Sequence, residues 1–285
     1  MINSSLVVFL FVISVAASAK TAPTSSLALQ TIEKSIGGRL GVVAIDVKTG
    51  RHIEYRSEER FLMCSTFKLA LVGQILRQID SGKEKMDRAV SFSSADLLEY
   101  APVTSKHVSE RQMTIKDLSI ATLQYSDSAA ANLLLRTQGG PTGLTKFLRS
   151  IGDKKTHLDR IEPELNTPKD DLDTTTPMAM AETVRKLVLG EILSSNSREF
   201  LQEWLFSNAI SNARFRAGVP VGWRVADKGG SGDAGATNDI GVLYRPNGTS
   251  IVLTAFASGS TKPRKEIEAA LAEVARLVST EFSDR

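Results

Sequence analysis

Apolar residues recur with a helical period at 26–35, and apolar strand-like segments follow at 40–47 and 52–55, with Lys48-Thr49-Gly50-Arg51 between them as a turn. The far end of the chain is patterned the same way. Segments 223–227, 240–244 and 250–256 have strand character, and Arg245-Pro246-Asn247-Gly248 supplies a hairpin turn. A final helix then gathers Ile267, Ala270, Leu271, Val274, Leu277 and Val278 on one stripe. Between these ends the period is helical, at 69–79, 115–124, 129–135, 143–151, 177–189 and 197–206. Strands at both termini around a helical middle predict an α/β (α+β) fold, with one antiparallel sheet built from both chain ends and flanked by helices. An all-helical lobe of about 61–208 is expected to face an α/β lobe of about 26–60 and 209–285, with the active site in the cleft between them.

The first nineteen residues carry no charged side chain, and an apolar run at 6–15 precedes Ala17-Ser18-Ala19, a pattern that suits signal peptidase. Residues 1–19 are therefore read as a signal peptide and 20–285 as the mature unit, exported to the periplasm or secreted. An apolar run of that length is too short to span a bilayer, so no membrane association is expected after export.

Composition narrows the partners. The 35 basic and 32 acidic residues are interleaved along the chain, and the formal net charge is only +3. A nucleic-acid stripe is absent from this pattern. Cys64 is the only cysteine, so no internal disulfide can form, and its place after Phe61-Leu62-Met63 suggests a small buried hydrophobe. His52, His107 and His157 show no local pairing, and there is no His-Glu-x-x-His pattern, so neither a metal nor another cofactor is expected. The glycines of 230–235 match G-x-G-x-x-G, but a β-hairpin follows where a nucleotide-binding turn needs a helix.

Ser65-Thr66-Phe67-Lys68 opens an apolar helical run, and the spacing puts the serine and the lysine on one helix face. A serine hydroxyl needs a neighbouring base before it can attack, and a partly desolvated amine can serve. Further along, Tyr125-Ser126-Asp127-Ser128 precedes an alanine-rich helix, where Asp127 or Ser128 fits an N-cap. A long polar loop then runs from Arg160-Ile161-Glu162-Pro163-Glu164-Leu165-Asn166 to Asp173-Thr174-Thr175-Thr176-Pro177, and Lys228-Gly229-Gly230 follows the strand at 223–227.

Ser-x-x-Lys, Ser-Asp-x, Glu-x-x-Leu-Asn and Lys-x-Gly, in this order and at these separations, resemble a class A serine β-lactamase over about residues 26–280. The resemblance implies hydrolysis of the amide of penicillins and cephalosporins through an acyl-enzyme, with Ser65 as nucleophile and Lys68 beside it. It implies an oxyanion hole from the N–H groups of Ser65 and Ser231, and Ser126 as proton shuttle to the leaving nitrogen under the influence of Lys228. Glu162 would direct water onto the ester, with Asn166 holding that water and Asn132 steadying the carboxylate. Arg160 and Asp173 would pair across the loop ends. Tyr100, Ser128, Gly230 and Ser231 would line the substrate cleft, and Arg214 would join Lys228 at the substrate carboxylate because Thr237 stands where many members carry an arginine. The partners implied are small β-lactams, with no nucleic acid, and the protein is expected to be a monomer.

The chain departs from the family pattern at three places. Ser128 replaces an asparagine, Gly229 replaces a hydroxyl residue, and the loop between Asn166 and Asp173 is short. Gly232 occupies the position where a carbapenemase-type disulfide with Cys64 would need a partner, and Ser231-Gly232-Asp233 resembles an extended-spectrum cephalosporinase pattern. A penicillin-binding DD-peptidase, or a sensor module that acylates without turnover, shares the Ser-x-x-Lys chemistry. Glu162 and Asn166, a deacylating pair that the peptidase lacks, argue against the first, and the absence of an evident membrane span after export argues against the second.

Overall fold

The strand-like segments at the two chain ends do meet in one sheet. The computed structural model describes residues 23–283, so the signal peptide expected at 1–19 lies outside the described residues. Its strands are β1 (Arg39–Asp46), β2 (His52–Tyr55), β3 (Phe61–Leu62), β4 (Ala89–Ser91), β5 (Gln112–Thr114), β6 (Thr174–Thr175), β7 (Arg224–Ser231), β8 (Thr237–Tyr244) and β9 (Ser250–Ser258). The helices are α1 (Pro23–Ile36), α2 (Phe67–Asp80), α3 (Ile115–Gln124), α4 (Ser128–Thr137), α5 (Gly140–Ser150), α6 (Pro177–Val184), α7 (Ser195–Phe206), α8 (Phe215–Gly218) and α9 (Arg264–Glu281). The main sheet has the order β2-β1-β9-β8-β7 and is antiparallel throughout. Its N-terminal and C-terminal parts join where Val42 pairs with Ala255.

Each sheet face is apolar, and each is covered. Leu40, Val42, Leu253 and Ala255 pack with Leu29 of α1, Phe215 of α8, and Leu271 and Val274 of α9. On the other face Val43, Ile240, Val252 and Phe256 share one core with Leu71, Ile75, Leu134 and Met180 from the helical middle. That shared core brings the helices against the sheet, and β7 is left as the edge strand beside the turn that carries Ser65.

Two expectations are corrected. The strand expected to end at Asp227 continues to Ser231, because pairing with β8 carries on through Lys228↔Ile240, Gly229↔Asp239, Gly230↔Asn238 and Ser231↔Thr237. A ladder is a backbone property, so tertiary pairing overrides the poor strand propensity of glycine. The segment at 61–208 is also not all-helical: β3 pairs with β6 and β4 with β5. Strands of two or three residues are too short to show a period.

Local chemistry sets the helix starts near the site. Asp127 caps α4 by accepting from Ala130 N, and it also accepts from the backbone N–H groups of Val103 and Thr104. Thr176 caps α6, with Pro177 in the first turn where its missing N–H costs nothing. The expected helix at 177–189 is α-helical to Val184 and then passes into a π-helical turn, Arg185–Leu189. Among the described residues, no helix is long and apolar enough to cross a membrane.

Candidate active site

Every residue of α2 from Phe67 to Leu76 is buried, so the helix runs through the core and carries Lys68 in with it. A fully buried ammonium needs charged and hydrogen-bonding partners. Lys68 Nζ lies 2.8 Å from Glu162 Oε1 and donates to Ser126 O at 2.7 Å and Ser126 Oγ at 3.3 Å. Ser65, on the turn leading into α2, donates from Oγ to the same Glu162 Oε1 at 3.2 Å. Nucleophile, amine and carboxylate therefore converge on one oxygen.

Glu162 is held by a side chain of its own loop and by one from α4. Asn166 Nδ2 donates to Oε2 at 2.5 Å. Asn132 was expected to steady the carboxylate, and the geometry corrects this: its side chain clasps the Glu162 main chain, donating to O at 2.9 Å and accepting from N at 3.0 Å. A side-chain amide matches a peptide group donor for acceptor, so Asn132 fixes where the residue sits rather than its charge. Arg160 Nε donates to Asp173 Oδ2 at 2.6 Å, and Asp173 Oδ1 accepts from the N–H groups of Asp159 and Arg160. Those bonds close the loop at its two ends.

Burial pushes the Glu162 carboxyl up, but the Lys68 ammonium, together with hydrogen bonds from Lys68, Asn166 and Ser65, outweighs it and holds the group below its ordinary value. Glu162 is thus an anion at neutral pH. Lys228 is pushed the other way: burial first, then repulsion from Lys68 and Arg214, hold its ammonium well below the usual lysine range. Its Nζ donates to Ser126 Oγ at 3.0 Å and Gly229 O at 2.7 Å. Because Ser126 Oγ accepts from both lysines, its own proton is directed elsewhere, towards the cleft it lines.

Backbone strain marks the same place. Cys64 at φ +47°, Ser126 at +54° and Asp173 at +56° are non-glycine residues in the left-handed region. Each such residue costs about 1–3 kcal/mol and persists only where its surroundings hold it. Cys64 is buried with Leu62 and Ala236, and burial pushes its thiol pKa up, away from the thiolate a cysteine nucleophile needs. A Cβ built on Gly232 would lie 2.8 Å from Cys64 Sγ and 2.4 Å from Asn166 O, so strand and loop meet closely there.

The cleft has a volume of about 350 Å³ and is lined by Ser65, Ser126, Glu162 and Asn166 with Tyr100, Ser128, Arg214, Gly229, Gly230 and Ser231. Tyr100 is half exposed, and its carbonyl accepts from Ser128 N. Arg214 reaches this wall, but its donors are already engaged. Nη2 donates to Ser231 Oγ at 2.8 Å and to Glu268 Oε1 at 3.1 Å, while Nη1 donates to Asn238 O at 2.8 Å and Gly230 O at 3.3 Å. The expectation of a guanidinium free for the substrate carboxylate is therefore corrected to one that acts through Ser231.

Arg214 also accounts for Gly229. A Cβ at that position would lie 2.2 Å from Arg214 Nη1 and 2.4 Å from Ser211 Oγ, so the hydroxyl residue of the family pattern has no room. Gly229→Thr should destabilise the fold by about 1–3 kcal/mol, as overpacking does, and raise KM as Arg214 is displaced from Ser231. Urea unfolding alongside steady-state kinetics checks both effects. Sequence reasoning missed Glu268, Asn132's main-chain clasp and the side chain of Asn238, all of which depend on contacts far apart in the chain.

Comparison with known proteins places these features in a family. A model of the "Beta-lactamase enzyme family" matches residues 25–282. Beta-lactamase OXY-2 of Klebsiella oxytoca is 45% identical over 251 residues, covering 86% of each chain. Beta-lactamase CTX-M-97 of Escherichia coli is 44% identical over 259 residues, covering 89% of this chain and 88% of its own. Among solved structures, an ancestral (GNCA) class A β-lactamase superposes with a TM-score of 0.89 at 50% identity, covering 90% of this chain and all of the other.

Proposed function

Since the chain belongs to the class A β-lactamase family and hydrolyses β-lactams through a serine acyl-enzyme, we propose that Ser65, Lys68, Ser126 and Glu162 divide that reaction between them. The single observation that supports this division is the convergence of Ser65 Oγ and Lys68 Nζ on Glu162 Oε1. Ser65 Oγ attacks the lactam carbonyl while its proton passes to Glu162, the carboxylate it already touches. Before that transfer the Lys68 ammonium, 2.8 Å away, holds Glu162 as the anion that can accept the proton. The carbonyl oxygen becomes an oxyanion held by the N–H groups of Ser65 and Ser231.

As the C–N bond breaks, Ser126 gives its proton to the lactam nitrogen and takes one from Lys68, which recovers it from the protonated Glu162, so that Glu162 is an anion again. Water then attacks the ester. Asn166 Oδ1 is buried without a partner among the described residues, so this oxygen and the Glu162 carboxylate can hold that water between them. Glu162 takes its proton, the ester C–O bond breaks, and the serine oxygen recovers a proton. The Ser231 hydroxyl, polarised by Arg214, receives the substrate carboxylate, and the buried Lys228 favours that anion from behind Ser126.

The apolar leader at residues 1–19 supports export, placing the enzyme outside the cytoplasm where it meets its substrates. Ser231-Gly232-Asp233 supports acceptance of bulky cephalosporins, since a side chain at 232 would collide with the loop at Asn166. Hydrolysis of benzylpenicillin, nitrocefin and cefotaxime, followed by loss of lactam absorbance, tests both activity and range. Turnover of all three is expected; no cefotaxime turnover rejects the extended range.

A further inference from the structure

Ser65 sits immediately after the strained Cys64, on a turn whose own hydrogen bonds are few. Met63 O accepts from Thr66 Oγ1 at 2.8 Å and from Thr66 N at 3.3 Å. Something outside the turn must keep Cys64 at φ +47°. Asn238, fully buried near the start of β8 and next to the edge strand β7, reaches across and donates from Nδ2 to Leu62 O at 2.8 Å and to Met63 O at 3.1 Å. These are the two carbonyls directly before Cys64. Only the NH₂ end of the amide can serve two acceptors, which fixes its orientation. Its Oδ1 has no hydrogen-bond partner among the described residues, so the side chain gives up one buried bond to make these two.

The main chain of Asn238 is tied to the opposite wall of the cleft. It pairs with Gly230, where an added Cβ would lie 2.9 Å from Ser65 N and 3.0 Å from Met63 O. Its carbonyl accepts from Arg214 Nη1, and the same guanidinium donates to Ser231 Oγ. One residue thus links the nucleophile's turn, the strand that carries Ser231, and the arginine behind that serine.

We infer that Asn238 is a positioning residue for the oxyanion hole: its side-chain amide pins the Ser65 turn against β7 and so sets the Ser65 N–H relative to the Ser231 N–H. This rests on the assignment of those two N–H groups in the proposed function. Asn238 touches no reacting atom, so its removal weakens every step that passes through a tetrahedral oxyanion and leaves encounter with the substrate carboxylate unchanged.

Asn238→Leu, which keeps the volume and removes the donors, and Asn238→Ala, which leaves space instead, test the inference in stopped-flow acylation and deacylation with benzylpenicillin. Affinity for a phenylboronic acid, whose tetrahedral adduct on Ser65 places an oxygen between the same two N–H groups, is measured on the same samples. Near-UV circular dichroism and thermal melting select variant protein that is folded, so that a loss of structure is not read as a loss of positioning. Acylation and deacylation rate constants should each fall about ten- to hundredfold, below the full loss of one oxyanion donor, with boronate affinity falling by a matching factor. The dissociation constant of the pre-covalent complex should hold steady. Wild-type rates and boronate affinity in either folded variant overturn the inference. If the wild-type protein itself forms no adduct on Ser65, the nucleophile assignment fails first, and the two failures are thereby told apart.

Discussion

Ser65→Ala is expected to lower kcat for benzylpenicillin by about four to six orders of magnitude while leaving substrate binding within a fewfold of wild type. Ser231, the cleft residue proposed to receive the carboxylate, makes its side-chain hydrogen bond with Arg214 and does not depend on the Ser65 hydroxyl, which is bonded to Glu162. Without the hydroxyl no ester can form. Steady-state kinetics together with the Kd of a slowly reacting cephalosporin check both halves. Hydrolysis retained at more than a small percentage of wild type would mean that another group attacks the lactam.

Lys68→Met should be almost as damaging, for a different reason. It removes the strongest influence holding the Glu162 carboxyl low, and burial, the largest influence of all, then acts with little opposition. In the wild type the carboxyl is depressed, so the carboxylate needed as base persists until the pH falls below the ordinary glutamate range. In the variant the carboxyl rises above that range, and the acid limb of kcat/KM moves to higher pH. At neutral pH the loss should be about 10²–10⁴-fold, the usual worth of a general base. A pH–rate profile checks the direction. An acid limb that stays in place would show that Lys68 does not govern Glu162.

The same linkage bears on stability. Because the folded-state pKa of Glu162 is depressed, its ion pair with Lys68 stabilises the fold above the unfolded carboxylate pKa, and that contribution is lost as pH falls through the folded value. The pair is buried on both sides, so its main effect is to hold one geometry, and breaking it leaves an uncompensated charge.

Much of this site could be read from the sequence because its chemistry lies in short local patterns. The spacing of Ser65 and Lys68 brings them together by itself, with Ser65 in the 3₁₀ turn Cys64–Thr66 that leads into α2 and Lys68 in its first turn, and the Asp127 cap announces the start of α4 beside Ser126. The sheet was legible from the short apolar runs bounded by turn residues at both chain ends. What escaped depends on contacts between distant segments. Gly229 read as a departure from a family pattern until Arg214 was seen to fill the space its side chain would need. Asn132 and Asn238 look alike as polar residues in regular elements, yet one clasps a loop backbone and the other a nucleophile's turn. The pairs β3–β6 and β4–β5 are too short to carry a period, so a helical middle was the natural reading of that segment.

Acylation alone would leave a dead enzyme, so the account stands or falls on Glu162 as the base that frees Ser65. Intact-protein mass spectrometry after mixing with benzylpenicillin, run in parallel on the wild type and on Glu162→Ala, measures this directly. The wild type should turn over its substrate with little adduct, and the variant should accumulate a persistent adduct that maps to Ser65. A lasting adduct on the wild type, or a variant that clears its adduct as fast as the wild type, would contradict it.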